Sequence, residues 1–227
     1  KKKIIYCGIP RYEKWWIKKI VKTKKTQPKK FTILVLLRPA NILFFQKKSF
    51  DNFLISMKFL ADQIKGIQFI FKLHPNLDKK HIVSNYLKNL NKNYWKISNN
   101  HVLYLSNFCN VCIGTMTSAC LDSVANKIPT IDYYDANYEL KKSSILKTMS
   151  NIAFDKKKNK WLPIFTFKKV MKNITNEKDL LDIISSIKSK KNKSSWNLYF
   201  KNFHRMVYFG RNSKNLSNFF LKNKKNW

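Results

Sequence analysis

A histidine and a proline, His74-Pro75, close one run of apolar residues. Further along, Thr115-Met116-Thr117-Ser118 closes another, with Asp122 four positions beyond. An imidazole can donate to a diphosphate or assist a leaving group, and Pro75 fixes the chain direction just after it. Hydroxyls at Thr115, Thr117 and Ser118 can cap a following helix or donate to phosphate oxygens. Asp122 stands among Ala119, Cys120, Leu121, Val124 and Ala125, where a carboxylate needs a partner such as a ribose diol or a lysine. Arg38 ends an earlier apolar run and can reach the same phosphate, while Lys72 alternates with His74. Asp132, Asp135 and Tyr138 fall at the end of the last run. Each residue also has a plainer reading: a strand-capping histidine, hydroxyls that only cap a helix, a surface Arg-Pro turn. Taken together they describe half of a site for a nucleotide that carries a sugar or an alcohol.

Such a site requires strands that deliver the loops to one rim of one sheet. Phe31 to Leu37 is a continuous apolar run, as expected of a strand buried on both faces, and Ile67 to Leu73 reads as a second buried strand. Ser49 to Lys65 places Phe50, Phe53, Leu54, Met57, Leu60, Ala61 and Ile64 at helical spacing and stops at Gly66. Asp78 to Leu90 is a further amphipathic segment, and His101 to Leu105 reads as a short strand. Asn110 to Gly114, Ser118 to Asn126 and Pro129 to Tyr133 then read as strand, helix and strand. This alternation predicts an α/β, Rossmann-like, doubly wound parallel sheet whose turn at Thr115 to Ser118 presents free helix N–H groups to an anion.

Outside that core, Ile4 to Ile9 reads as extended, Pro10 to Trp16 as an aromatic cluster with Arg11, and Lys22 to Lys30 as a charged loop. Ala136 to Met149 reads as helix, Asp155 to Lys160 as a loop, and Trp161 to Phe167 as extended around Pro163. Thr175 to Lys188 opens as an imperfect capping box, with Glu177 and Asp179 in its first turn. A basic loop, Lys188 to Ser195, precedes a helix pair, Trp196 to Leu221, broken at Gly210. The expected division is residues 1–30 as linker and start of the nucleotide-binding half, 31–150 as its core, and 151–227 as a helical extension.

Composition narrows the partners. The chain carries 46 Lys and Arg against 12 Asp and Glu, a formal charge of +34, which favours a phosphate-bearing or otherwise anionic partner. Lysine is spread along the whole chain beside abundant Asn, Ile and Phe, so a compositional lean of the genome stands as a second source of the excess. Neither Arg clusters nor a zinc-finger or RNA-recognition pattern supports nucleic acid as the partner. Cys109 and Cys112 have CxxC spacing, but no second pair completes a zinc set, so buried filler in a reducing cytoplasm is expected and no metal. No apolar run reaches the roughly 18 residues of a membrane span. No GxSxG, P-loop or GxGxxG sequence is present, which removes support for acyl transfer, ATP hydrolysis and dinucleotide redox chemistry.

GIPRYEKWW from Gly8, KLHP from Lys72 and CNVCIGTMTSACLDSVANKIPTIDYYDANY from Cys109 occur in that order. FHRMVYFGRNSKN from Phe203 is a weaker echo of a closing helix. In these motifs the chain resembles the carboxyl-terminal half of GT-B transferases of bacterial surface polymers, closest in pattern to CDP-glycerol glycerophosphotransferases. It departs from their pattern where Thr115-Met116-Thr117-Ser118 stands for Asp-Tyr-Ser-Ser and Glu13 for an Asp. The resemblance implies that His74, Thr117, Ser118 and Asp122 bind a CDP-, CMP- or UDP-linked donor, the histidine touching phosphate. It implies no cofactor beyond that donor. A surface-polymer or lipid-linked acceptor is implied, with a place in the cytoplasm or at the inner face of the plasma membrane. The amino-terminal half, with acceptor site and catalytic base, is expected to be absent from this stretch. Two other readings remain open: a non-catalytic basic module for nucleotides or nucleic acid, and a sugar-nucleotide epimerase of similar architecture.

Overall fold

The structure is a computed structural model that describes residues 9–21, 28–41, 43–82, 87, 94–190 and 194–207. A 3-10 turn at Pro10–Tyr12 leads into α1 (Lys14–Val21), then β1 (Phe31–Leu37), α2 (Lys47–Gln63), β2 (Ile67–Leu73), α3 (Lys79–Ile82) and β3 (Trp95–Ile97). Next come α4 (Val102–Ser106), β4 (Val111–Gly114), α5 (Cys120–Ala125), β5 (Thr130–Tyr133) and α6 (Ala136–Lys142). The hairpin β6 (Ile152–Asp155) and β7 (Lys160–Pro163) follows, then α7 (Ile164–Phe167), β8 (Lys172–Ile174), α8 (Glu177–Lys188) and α9 (Asn197–Val207).

Six strands form one sheet in the order β3-β2-β1-β4-β5-β8, and every pairing is parallel. The chain winds outward from β1 to β3, returns to the other side of β1 and winds outward again, so the direction reverses between β1 and β4. In an open α/β sheet a crevice opens at that reversal, beyond the carboxyl ends of the strands. The register brings those ends level: Leu36 pairs with both Lys72 and Gly114.

The apolar run of β1 is explained by its position between two helical layers. Ile33, Val35 and Leu37 join Phe53, Met57 and Leu60 of α2 and Leu180 and Ile184 of α8 in one core. Leu34 and Leu36 point the other way, with Leu105 of α4, Leu121 and Val124 of α5 and Phe203 and Val207 of α9. Alternate residues of a strand face opposite sides, so only a strand covered on both sides needs every residue apolar.

Several elements differ from the sequence expectation. His101 to Leu105 is not a strand: His101 is the N-cap of α4, its Nδ1 accepting from the Leu103 N–H at 3.2 Å. The reason is that a five-residue apolar run carries no decisive period, and the sheet position is taken by Trp95–Ile97. The helix from Ala136 ends at Lys142, because Ser143 is extended, and a 3-10 turn at Ser144–Thr148 follows. Trp161 to Phe167 is extended only through Pro163 before α7. Asp155 to Lys160 is the tip of a hairpin, turned by Asn159 at φ 49°. The cap of α8 is Asn176, which accepts from the Asp179 N–H at 2.9 Å. Residues 151–227, expected as a helical extension, also supply that hairpin and the sixth strand of the sheet, β8. Gly210 and the second helix expected beyond it, most of Ile4 to Ile9, and residues 22–27 lie outside the described residues. No helix among the described residues is long and apolar enough to cross a membrane.

Gly114 ends β4 where a side chain has no room. A Cβ there would lie 2.5 Å from Cys120 Sγ and 3.1 Å from Thr117 Cγ2. Gly114→Ala is expected to lower stability by about 1–3 kcal/mol, read as a lower urea midpoint. With Cys120→Ala in the same chain, the combined loss should be smaller than the sum of the two single losses. A strictly additive double-mutant cycle would show that the clash with Cys120 is not the cause.

Candidate functional site

Arg38, His74 and the Thr115 to Ser118 loop follow β1, β2 and β4 directly, so the fold sets all three at the reversal crevice. The loop is held from two sides through one residue. Met116 sits at φ 42°, a left-handed conformation uncommon for a residue with a side chain. Its N–H donates to Asp132 Oδ1 at 2.7 Å, and its carbonyl accepts from Arg38 Nη1 at 2.7 Å. Arg38 in turn lies over the Phe44 ring, 4.3 Å from its centroid. Burial lowers the pKa of this guanidinium from its ordinary value, an effect Asp132 opposes. Its Nε is buried without a protein partner.

The resulting cleft has a volume of about 370 Å³. Arg38, Pro39, His74, Met116, Thr117 and Ser118 form one wall, and Asn151, Pro163, Ile164 and Phe165 form the other. His74 is exposed. Its backbone N–H donates to the Leu37 carbonyl at 2.9 Å, and its Nδ1 accepts from the Asn76 N–H at 3.2 Å. With Nδ1 an acceptor, the neutral ring carries its proton on Nε2. Ser118 is exposed, whereas Thr117 Oγ1 accepts from the Ala119 N–H at 3.3 Å. Thr115 is wholly buried, and its hydroxyl has no protein partner.

Four backbone donors at the start of the helix, expected to greet an anion, are already engaged. Cys120, Leu121 and Asp122 donate to the carbonyls of Thr117, Ser118 and Ala119, and the Ala119 N–H is held by Thr117. The N–H groups of Ala119 to Asp122 are therefore taken up within the turn itself.

The other candidates stand elsewhere. Asp122 has no exposed surface, and its carboxylate is gripped by Arg11, Nε to Oδ1 at 3.0 Å and Nη2 to Oδ2 at 2.5 Å. The partner a buried acid requires is therefore within the chain, and Asp122 is not among the residues lining the cleft. Lys72 Nζ donates to the Asn99 carbonyl at 3.2 Å. Asp135 caps α6, accepting from the N–H groups of Asn137 and Tyr138 at 3.0 and 3.1 Å. The Tyr138 ring lies 5.9 Å from Lys142 Nζ. Sequence reasoning missed the opposing wall, since Asn151 and Phe165 reach the rim only through the β6–β7 hairpin. It also missed Asp132 as the loop's anchor. An acid ending an otherwise apolar strand was the signal available for that role.

Neither protein-family models nor curated proteins give a match to this sequence. Among solved structures the fold is shared with the S. aureus MnaA–UDP co-structure, at a TM-score of 0.54 and 9% identity over 98% of this chain and 55% of that one. It is also shared with a variant of the wall teichoic acid polymerase TagF, at a TM-score of 0.50 and 14% identity over 92% of this chain and 47% of that one. The chain thus spans about half the length of the structures it matches. The Rossmann-like α/β fold implied by the motif resemblance is the fold observed.

Asp132 is wholly buried, and desolvation pushes its pKa from 3.8 up to about 7 against the opposing pull of the Met116 N–H and Arg38. A carboxyl whose folded pKa is raised stabilises the fold fully below its unfolded pKa and loses that contribution as pH rises through the folded one. Stability should therefore fall between about pH 4 and pH 7, by roughly 1.4 kcal/mol per unit of displacement. Asp132→Asn keeps an acceptor for Met116 but cannot ionise. Urea unfolding at pH 5, 6 and 8 should show the wild type losing ground to the variant as pH rises, and parallel curves would remove Asp132 as the source.

Proposed function

We propose that the cleft binds the diphosphate of a nucleotide-activated donor, and that the chain is the donor-binding half of a transferase. The group transferred would be a glycosyl or alditol-phosphate unit, and the acceptor a cell-surface polymer of teichoic acid or capsule type. The observation that carries this reading is the convergence of Arg38, His74, Thr117 and Ser118 on one rim at the reversal point of the sheet. Motif order adds support, as does a fold shared with a structure described with UDP and with a wall teichoic acid polymerase. The excess of positive charge suits both a phosphate donor and an anionic polymer or membrane surface.

The chemistry is electrostatic. As an acceptor hydroxyl attacks the transferred group, its proton passing to a base in the acceptor-binding half, the bond to the nucleotide's phosphate oxygen breaks and that oxygen takes up the negative charge. The His74 Nε2–H and the guanidinium charge of Arg38 would stabilise it, with the Ser118 hydroxyl donating to a neighbouring phosphate oxygen. Arg38 is held by Met116 and Phe44 before any ligand arrives, so little reorganisation is needed.

CDP or UDP should raise the melting temperature of the intact protein. His74→Ala and Ser118→Ala should each weaken nucleotide binding by roughly 10- to 100-fold, the loss expected for a hydrogen bond to a charged group. Thermal shift together with calorimetric titration measures both. A wild-type protein indifferent to every nucleoside diphosphate would refute the proposal.

A further inference from the structure

A second hollow, of about 380 Å³, is lined by Arg11, Trp15, Trp16 and His101. We infer that it receives the planar heteroaromatic base of the nucleotide whose diphosphate lies in the cleft, an assignment that rests on the donor-binding reading.

The hollow is of small-molecule size, and its walls are fixed in advance. Trp15 is 54% exposed, yet its indole N–H donates to Glu13 Oε2 at 2.5 Å, and Glu13 is itself buried. Trp16 meets it edge-on, with centroids 5.6 Å apart at 75°. The guanidinium of Arg11 is pinned by Asp122, and His101 is tied through Nδ1 to the turn it caps. An exposed indole ordinarily has freedom to move. Here its N–H is tied to a buried carboxylate, which fixes the ring as a stacking platform requires. Indole, imidazole and guanidinium faces are the groups on which bases stack.

The position of the hollow ties the ring to an anion. Ser118, in the cleft, stands about one turn before Asp122, and Arg11 covers Asp122. On the neighbouring strand Lys72 alternates with His74 and reaches the Asn99 carbonyl, two residues before His101. His101 feels the charges of Asp122, Arg11 and Lys72. Two short connections thus run between the hollows, Ser118 to Asp122 and its Arg11 on one side and His74 with Lys72 to Asn99 and His101 on the other, with Arg38 and His74 in the first hollow and the indoles in the second. A free aromatic compound would gain nothing from the first hollow, and inorganic diphosphate nothing from the second.

Calorimetric titration of the intact protein with CDP, UDP and inorganic pyrophosphate tests this, using wild type, Trp15→Ala and Trp15→Phe. Trp15→Ala should weaken nucleotide binding by about 5- to 150-fold, the range measured for loss of one stacking partner. Pyrophosphate affinity should stay unchanged, which also shows that the variant is folded, and Trp15→Phe should recover most of the nucleotide affinity. If Trp15→Ala binds nucleotide as tightly as wild type, the base subsite is overturned and the phosphate cleft stands. If wild type binds neither nucleotide nor pyrophosphate, the donor-binding reading falls and the base subsite with it.

Discussion

The peptide units on either side of Met116 are bound by two opposed hydrogen bonds, one to a buried carboxylate at the end of β5 and one from a guanidinium at the end of β1. These contacts hold a residue with a side chain in a left-handed conformation, which costs energy unless the surroundings fix it. They also join the ends of three neighbouring strands, β1, β4 and β5, across the point where the sheet reverses direction. The course of the Thr115 to Ser118 loop, and hence which hydroxyls face the cleft, follows from that grip. Gly114 makes the same demand in steric form, since Cys120 fills the space any side chain would need.

Much of this was legible in the sequence, for identifiable reasons. Strands covered on both faces need few polar positions, so β1 and β2 declared themselves through Phe31 to Leu37 and Ile67 to Leu73, Thr32, Gln68 and Lys72 aside. Loops that follow adjacent parallel strands must emerge on the same rim, so the meeting of His74 with Thr117 and Ser118 followed once the strands were read. Short elements gave less away. Trp95 to Ile97 and Lys172 to Ile174 are too brief to show a period, and only pairing with β2 and β5 makes them strands.

Asp122 shows where such reasoning stops. Its composition of neighbours correctly demanded a partner, but chemistry alone does not choose between a ligand hydroxyl and a distant side chain. Arg11 lies 111 positions earlier, and no spacing rule connects the two. The ion pair fastens the segment from Arg11 to Trp16 across α5, where Tyr12 packs edge-on against Phe203 of α9 at 5.1 Å. One end of the described chain is thereby built into the face opposite α2, and the aromatic hollow exists because of that attachment.

The two walls of the cleft have different mechanical origins. One is the rim of a six-stranded parallel sheet whose inner strands are packed on both faces; the other is a two-stranded hairpin and one turn of helix that share no backbone ladder with that sheet. Asn151, Pro163, Ile164 and Phe165 therefore contribute no hydrogen bond to the ladder that carries Arg38 and His74. A change confined to the hairpin reshapes one wall of the cleft and leaves the rim of the sheet as it is.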